Sequence, residues 1–230
     1  MPFQNSHPLR VKICGITQRS QGLAIAQLGA SALGFICVPS SPRYVSPEQI
    51  QLITQALPNT VATIGVFADA DLETIRRTVA IARLSGVQLH GSESPEFCWQ
   101  LRQLLPAIEI IKAIRIKTAA MLAVADDYAQ EVDTLLLDAY ADNQLGGTGK
   151  TIDWEILQNF QPRCPWLLAG GLTPDNVAVA LRQLQPNGID LSSGVERSPG
   201  HKDLNRVQAL FEQLNTVWSG SLTPSGVKLG

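Results

Sequence analysis

Histidines and paired cysteines, which build most protein metal sites, are scarce in this sequence. It contains three histidines in 230 residues, too few to favour a three-histidine metal centre. Its four cysteines are widely spaced and lack the pairing of a zinc site: Cys14, Cys37, Cys98 and Cys164. The formal net charge is −2, and no apolar run is long enough to span a bilayer. We therefore expect neither nucleic acid nor membrane as a partner.

The chain also lacks the features that mark secreted or multidomain proteins. No signal peptide is recognisable, and the cysteines do not form a disulfide framework, so we expect free thiols and a cytoplasmic location. No linker or low-complexity segment divides the chain. We predict one catalytic domain over residues 10–214, preceded by a loose segment at 1–9 and followed by a C-terminal extension at 215–230.

Two widespread catalytic motifs are missing as well. No Gly-x-Ser-x-Gly elbow is present, which argues against a serine hydrolase. Residues 146–151, Gly-Gly-Thr-Gly-Lys-Thr, resemble a nucleotide-binding loop, but Gln144 stands where that motif requires its first glycine. The segment also follows its strand by several residues. We therefore predict a mobile glycine-rich lid near Asp138 rather than nucleotide hydrolysis.

Short apolar runs alternate with amphipathic stretches along the whole chain. The runs predict strands at Val11–Cys14, Ala32–Ile36, Thr60–Val66, Gly86–Leu89, Ile108–Ile114, Thr134–Asp138, Trp166–Ala169 and Gly188–Leu191. The stretches predict helices at Gln18–Leu28, Pro47–Leu57, Asp71–Leu84, Pro95–Leu104, Thr118–Tyr128, Trp154–Phe160, Pro174–Leu184 and Leu204–Leu214. Such a chain can form an open doubly wound sheet or a closed barrel. The compact units favour an α/β fold of one domain, the (β/α)8 or TIM barrel.

Two glycine-rich corners follow the last two predicted strands. One contains Gly170 and Gly171, and the other contains Ser193 and Gly194. Glycine lets the backbone turn with positive φ and lets its amides approach a ligand closely. Free amides at such turns bind anions, and TIM barrels commonly hold phosphate in these two loops. We therefore predict that backbone amides of these four residues bind a phosphate group.

Four side chains at or near predicted strand ends could carry chemistry. Cys14 ends the first strand, where it is either a small buried hydrophobe or a reactive thiol. Asp138 ends the sixth strand and is either a turn residue or a functional acid. Arg43 follows the second strand and could grip a carboxylate, remain solvated or pair with Glu48. His90 ends the fourth strand and could line the pocket or hydrogen-bond a loop.

The motifs closely resemble, in one order, those of the phosphoribosylanthranilate isomerase family of tryptophan biosynthesis. The resemblance covers about residues 10 to 214 and includes every strand end. The matching pieces include Val11-Lys12-Ile13-Cys14-Gly15-Ile16-Thr17, Ser41-Pro42-Arg43-Tyr44-Val45, Val87-Gln88-Leu89-His90-Gly91, Ala169-Gly170-Gly171-Leu172 and Asp190-Leu191-Ser192-Ser193-Gly194-Val195-Glu196. Two departures are small: Cys37 stands where an aromatic residue is common, and the segment after Leu214 has no clear counterpart.

The resemblance implies an Amadori rearrangement of an aminoaldose to an aminoketose, without metal or organic cofactor. Asp138 would act as general acid and Cys14, as thiolate, as general base. Arg43 would orient the anthranilate carboxylate, His90 would contact the substrate, and the glycine-rich corners would hold the phosphate. The implied partner is a small phosphorylated substrate. The sequence leaves open whether the chain is a monomer or a homodimer, and whether the related histidine-pathway aminoaldose is also accepted.

Three points remain open at the level of sequence. Lys12 is expected on the opposite face of its strand from Cys14, so no partner for a thiolate is apparent. An aldolase or decarboxylase acting on another phosphosugar would keep the barrel, but a Schiff-base aldolase needs a lysine at a strand end and none of the predicted strands ends in one. A barrel that only binds a phosphorylated metabolite is the third alternative, because a fold alone does not fix a function.

Overall fold

Eight parallel strands form a closed barrel in sequence order, which confirms the predicted fold. The computed structural model describes residues 9–116, 118, 121–138 and 154–220. The barrel strands β1 to β8 are Arg10–Cys14, Ala32–Ile36, Ala62–Phe67, Gly86–Leu89, Glu109–Arg115, Thr134–Asp138, Trp166–Ala169 and Gly188–Leu191. β1 pairs with β8 to close the ring, and this register places Lys12 beside Asp190.

Seven α-helices within the described ranges cover the strands on the outside. Helices α1 to α7 are Arg19–Gln27, Pro47–Thr54, Leu72–Ala82, Pro95–Leu104, Leu122–Tyr128, Val177–Gln183 and Leu204–Gly220. The side chains of Ser46, Asp71 and Ser94 cap α2, α3 and α4 by accepting a hydrogen bond from an amide of the first turn. These caps fix the residue at which each helix begins. The loops between the strands and these helices form the rim of the barrel.

Two predicted helices differ most from the observed ones. The stretch predicted as a helix over Trp154–Phe160 forms a single 3-10 turn, Trp154–Leu157. Asn159 is a weak helix former, and the residue before Pro162 is disfavoured in helical conformation, so the turn does not extend. The last helix, α7, continues to Gly220 instead of ending at Leu214, and Val217 continues its apolar contact with the core. The division into residues 10–214 and an extension stays a prediction.

A short hairpin after β8 was not predicted. A 3-10 turn, Ser193–Val195, leads into β9, Glu196–Ser198, which pairs antiparallel with β10, His201–Lys202. Strands of two or three residues are too short to show a period of two, so their sequence gave no strand signal. Pro199 and Gly200 form the turn between them. The hairpin brings Glu196 and Lys202 to the carboxyl end of the barrel.

The core is divided between an outer shell and a barrel interior. The outer shell packs the strands against the helices. The interior contains small and aliphatic side chains from five of the strands: Ala32, Ile64, Ile111, Ala113, Leu136, Leu167 and Ala169. Lys12 is also buried on this side, whereas Lys112 alternates with Ile111 and Ala113 and is buried on the outer face, near Tyr128 of α5. In the part of the chain that the structure describes, no helix is long and apolar enough to cross a membrane.

Candidate active site

One cavity at the carboxyl ends of the strands brings together all the residues singled out above. It has a volume of about 480 Å³ and is lined, among others, by Cys14, Arg43, His90, Asp138, Gly170, Gly171, Ser193 and Gly194. The barrel explains this convergence, because the carboxyl ends of parallel strands all face one rim. Residues 146–151, the predicted lid, lie outside the described residues.

The two glycine-rich corners form one wall of the cavity. Gly170 and Gly171 follow β7 with φ angles of +89° and +64°, a conformation that favours glycine. Gly194 lies in the turn after β8, where an added Cβ would stand 1.8 Å from the carbonyl oxygen of Leu172. The two loops therefore touch, and only glycine fits at Gly194. The contact brings residues of both loops to the lining of the same cavity.

Gly194→Ala is expected to impair phosphate binding more than it impairs folding. The added methyl group overlaps the Leu172 carbonyl, so the loop after β8 must move away from the loop after β7. We expect KM for the phosphorylated substrate to rise at least about tenfold, the equivalent of one lost hydrogen bond to a charged group. Gly171→Ala is the comparison variant: its methyl group would meet open space, so only the positive φ of +64° opposes it, and it should raise KM less. Equal KM values in the two variants would contradict this account.

The Cys14 thiol is buried in the cavity floor. Cys14 is 5% exposed, and its sulfur lies so close to β2 that a Cβ on Gly34 would stand 2.6 Å away. Gly34 therefore makes the space that the thiol occupies. Burial raises the pKa of the thiol, while the nearby Lys12 ammonium lowers it; the net direction is upward. A reactive thiolate at this position consequently needs strong support from its surroundings.

Lys12 lies on the same face of β1 as Cys14, so the expectation that it points away was wrong. Residues two apart in a strand share a face, and only the intervening Ile13 points outward. Lys12 is fully buried, and its Nζ donates a hydrogen bond of 2.9 Å to Oδ1 of Asp190. Burial opposes the charged form of Lys12, but Asp190 and Cys14 outweigh it, and the pKa of Lys12 is raised. The ammonium also attracts a thiolate on Cys14 and so opposes the effect of burial on that thiol.

Arg43 is fixed by Glu196 of the unpredicted hairpin and not by Glu48. Its Nη2 lies 2.6 Å from Glu196 Oε2, and its Nε lies 3.0 and 3.1 Å from the two carboxylate oxygens. Glu196 also accepts from Lys202 Nζ at 2.8 Å and from the Gly200 amide at 3.1 Å. Burial raises the pKa of Glu196, but these hydrogen bonds outweigh it and lower the pKa. Among described residues, Nη1 of Arg43 has no protein partner, so it is available to a ligand.

His90 connects the acid candidate to a buried amide. His90 Nε2 lies 3.5 Å from Asp138 Oδ2, and His90 Nδ1 lies 2.8 Å from Gln88 Nε2. If the Gln88 amide donates to Nδ1, the ring proton sits on Nε2 and faces Asp138; the amide orientation is an assignment. Gln88 lines the cavity, and within the described ranges its buried Oε1 has no hydrogen-bond partner. Sequence reasoning missed Gln88, although its position two residues before His90 places it on the same face.

Comparison with known proteins gives a uniform result. A family model described as N-(5'phosphoribosyl)anthranilate (PRA) isomerase matches residues 11–213. The N-(5'-phosphoribosyl)anthranilate isomerase of Nostoc punctiforme is 61% identical over 208 residues, covering 90% of this chain and 99% of that protein. The protein of the same name from Crocosphaera subtropica is 60% identical over 209 residues, covering 91% and 100%.

Solved structures show the same likeness. The crystal structure of phosphoribosyl anthranilate isomerase from Thermotoga maritima is 36% identical with a TM-score of 0.83, covering 91% of this chain and 100% of that one. A phosphoribosyl anthranilate isomerase in complex with reduced 1-(o-carboxyphenylamino)-1-deoxyribulose 5-phosphate is 34% identical with a TM-score of 0.81 and the same coverage. A third structure, described as monomers made from the dimeric Thermotoga maritima enzyme, is 33% identical with a TM-score of 0.80, again covering 91% and 100%.

Proposed function

The chain belongs to the N-(5'-phosphoribosyl)anthranilate isomerase family, and from this premise we propose how its cavity performs the reaction. The reaction is the rearrangement of N-(5-phosphoribosyl)anthranilate, an aminoaldose, to 1-(2-carboxyphenylamino)-1-deoxyribulose 5-phosphate, a step of tryptophan biosynthesis. The observation that carries the proposal is the placement of Cys14 and Asp138 on one cavity, with Arg43 and the glycine-rich loops also on its walls. This substrate requires a general acid, a general base and a binding site for each of its two anionic groups.

The first step opens the furanose ring. Asp138, as the protonated acid, donates its proton to the ring oxygen while the bond between that oxygen and C1 breaks. The lone pair of the anthranilate nitrogen forms a C=N bond to C1, which leaves a cationic Schiff base. His90, 3.5 Å from Asp138, is placed to orient the carboxyl group and to help return its proton after the step.

The second step moves a proton from carbon. Cys14, as thiolate, removes the proton from C2, and the electrons of that bond form a C1=C2 double bond as the nitrogen regains its lone pair. The resulting enolamine takes a proton at C1 and loses one from the C2 hydroxyl, which gives the ketone. The nitrogen of the substrate serves as the electron sink, so the residues need only hold and move protons.

Holding both ends of the substrate places the reacting carbons between acid and base. We assign the phosphate to the amides around Gly170, Gly171, Ser193 and Gly194, and the anthranilate carboxylate to Arg43. The Glu196 contact holds the Arg43 guanidinium in one orientation and leaves Nη1 for the carboxylate. Positioning of this kind converts an encounter between groups into an intramolecular step, which accounts for a large part of many catalytic rate enhancements.

Arg43→Ala is expected to raise KM by about tenfold or more, because a charge-assisted hydrogen bond to the substrate carboxylate is lost. The matched test uses the analogue made from aniline, which lacks the carboxylate. The wild-type protein should prefer the natural substrate over this analogue, and the Arg43→Ala variant should lose most of that preference. An unchanged KM for the natural substrate, or an unchanged preference, would contradict the carboxylate grip.

We also propose a cytoplasmic location, supported by the four cysteines, all of which are free thiols in the structure. The dimeric Thermotoga maritima relative makes a homodimer a reasonable assembly to test by light scattering, with the monomer as the other outcome. A barrel that only binds its metabolite remains the competing function. It is distinguished by tight substrate binding without turnover.

A further inference from the structure

A cluster of charged side chains lies around the Cys14 thiol. The cluster holds three cations and two carboxylates in two hydrogen-bonded groups: Lys12 with Asp190, and Arg43 and Lys202 with Glu196. They come from β1, from the loop after β2, from β8 and from the β9–β10 hairpin. Each of the three cations interacts electrostatically with the Cys14 sulfur, and so does Asp190. Cys37 is the remaining titratable neighbour.

This cluster has one positive charge in excess when Cys14 is a neutral thiol. Glu196 is shared by two cations, Arg43 and Lys202, while Asp190 pairs with Lys12 alone. Lys12 and Lys202 are buried almost completely. An uncompensated charge in a buried site is costly, so the cluster is best balanced when a further anion joins it. A thiolate on Cys14 supplies that anion.

Lys12 is the cation that most favours the charged form of the Cys14 thiol. It stands two residues before Cys14 on the inner face of β1, and it is shielded from water. Its ammonium hydrogen-bonds Asp190 and attracts a thiolate on Cys14. The β1–β8 register sets Lys12 and Asp190 side by side, so Asp190 holds the ammonium beneath the thiol. Lys202, by contrast, donates hydrogen bonds to Glu196 and to the Ser192 carbonyl.

We propose that Lys12, held by Asp190, is the positioning residue that stabilises the Cys14 thiolate. This inference rests on the proposed role of Cys14 as base, but it makes a claim about the thiol that can be tested without turnover. It also explains why the barrel interior of this chain tolerates a fully buried lysine at that place. The ammonium opposes the effect of burial on the thiol and keeps the proton acceptor available.

The test measures how fast iodoacetamide alkylates Cys14 as a function of pH, with the labelled peptide followed by mass spectrometry. Only the thiolate reacts, so the midpoint of the profile reports the pKa of Cys14. In Lys12→Met the midpoint is expected to rise by about one pH unit or more. The pH profile of kcat should shift in the same direction. Lys112→Met is the matched control, because Lys112 is also a buried barrel lysine but pairs with Glu93. Its Cys14 midpoint should stay at the wild-type value.

Lys12→Met leaves Asp190 buried without its partner, so the double variant Lys12→Met/Asp190→Asn is tested beside it. That variant removes both charges at once, and its midpoint should still lie above the wild-type value. Wild-type midpoints in the folded Lys12 variants would overturn the inference, as would an equal shift in Lys112→Met. Full activity of Cys14→Ala would instead overturn the role of Cys14 as base, and the alkylation midpoints would still decide the role of Lys12.

Discussion

Cys14→Ala is expected to lower kcat by at least about 10², because a positioned general base contributes a factor of that size or more. The alanine side chain fits the same space against Gly34, so substrate binding and folding should be largely kept. Turnover is followed by the loss of anthranilate fluorescence, and folding by the midpoint of thermal unfolding.

Cys37→Ala is the matched control for this prediction. Cys37 follows the end of β2 and is half-buried, and burial raises the pKa of its thiol to about 12. It therefore has no thiolate to contribute at neutral pH, and its removal should change kcat by less than about twofold, a difference of a few tenths of a kcal/mol. A loss below tenfold in Cys14→Ala, or an equal loss in both variants, would refute the assignment of Cys14.

Asp138→Asn is expected to cost at least about 10² in kcat as well, because the amide cannot give a proton to the ring oxygen. The substitution keeps the size of the side chain and leaves a polar group facing His90 Nε2. KM should change much less than kcat, because the proposed grips on phosphate and carboxylate lie elsewhere on the cavity wall. A loss below tenfold would refute the assignment of Asp138.

The two variants should fail at different steps. Cys14→Ala still opens the ring, so it should speed the interconversion of the two anomers of the substrate, which NMR detects. Asp138→Asn should not, because ring opening is the step it lacks. Anomer interconversion that is fast in Asp138→Asn and slow in Cys14→Ala would mean that the two roles are reversed.

The barrel could be predicted because its strands have a recognisable sequence pattern. They are continuous apolar runs with polar or glycine residues after them, a pattern that results when both faces of a parallel sheet are covered. The six side chains and turns expected at the site follow strand ends, and a closed barrel brings all strand ends to one rim. Asp138 and Gly194 are far apart in sequence yet line the same cavity for that reason alone.

The contacts within the site were harder to predict. Glu196 and Lys202 belong to a hairpin too short to show a sequence period, so the one protein partner that the sequence suggested for Arg43 was the nearby Glu48. Lys12 was placed on the wrong face, although the period of two already put it beside Cys14. The pairing of Lys12 with Asp190 depends on how the first and last strands meet, which no local pattern contains.

Turnover of N-(5'-phosphoribosyl)anthranilate by the purified protein bears most directly on the central claim, that this cavity catalyses the isomerisation by acid and base. The account predicts rapid loss of anthranilate fluorescence without added metal or cofactor. Because the reaction is an isomerisation, the product should have the same mass as the substrate. The coupling enzyme should convert it to indole-glycerol phosphate. Tight binding that protects the substrate from spontaneous decay, with no product formed, would contradict it and would show a barrel that binds without reacting.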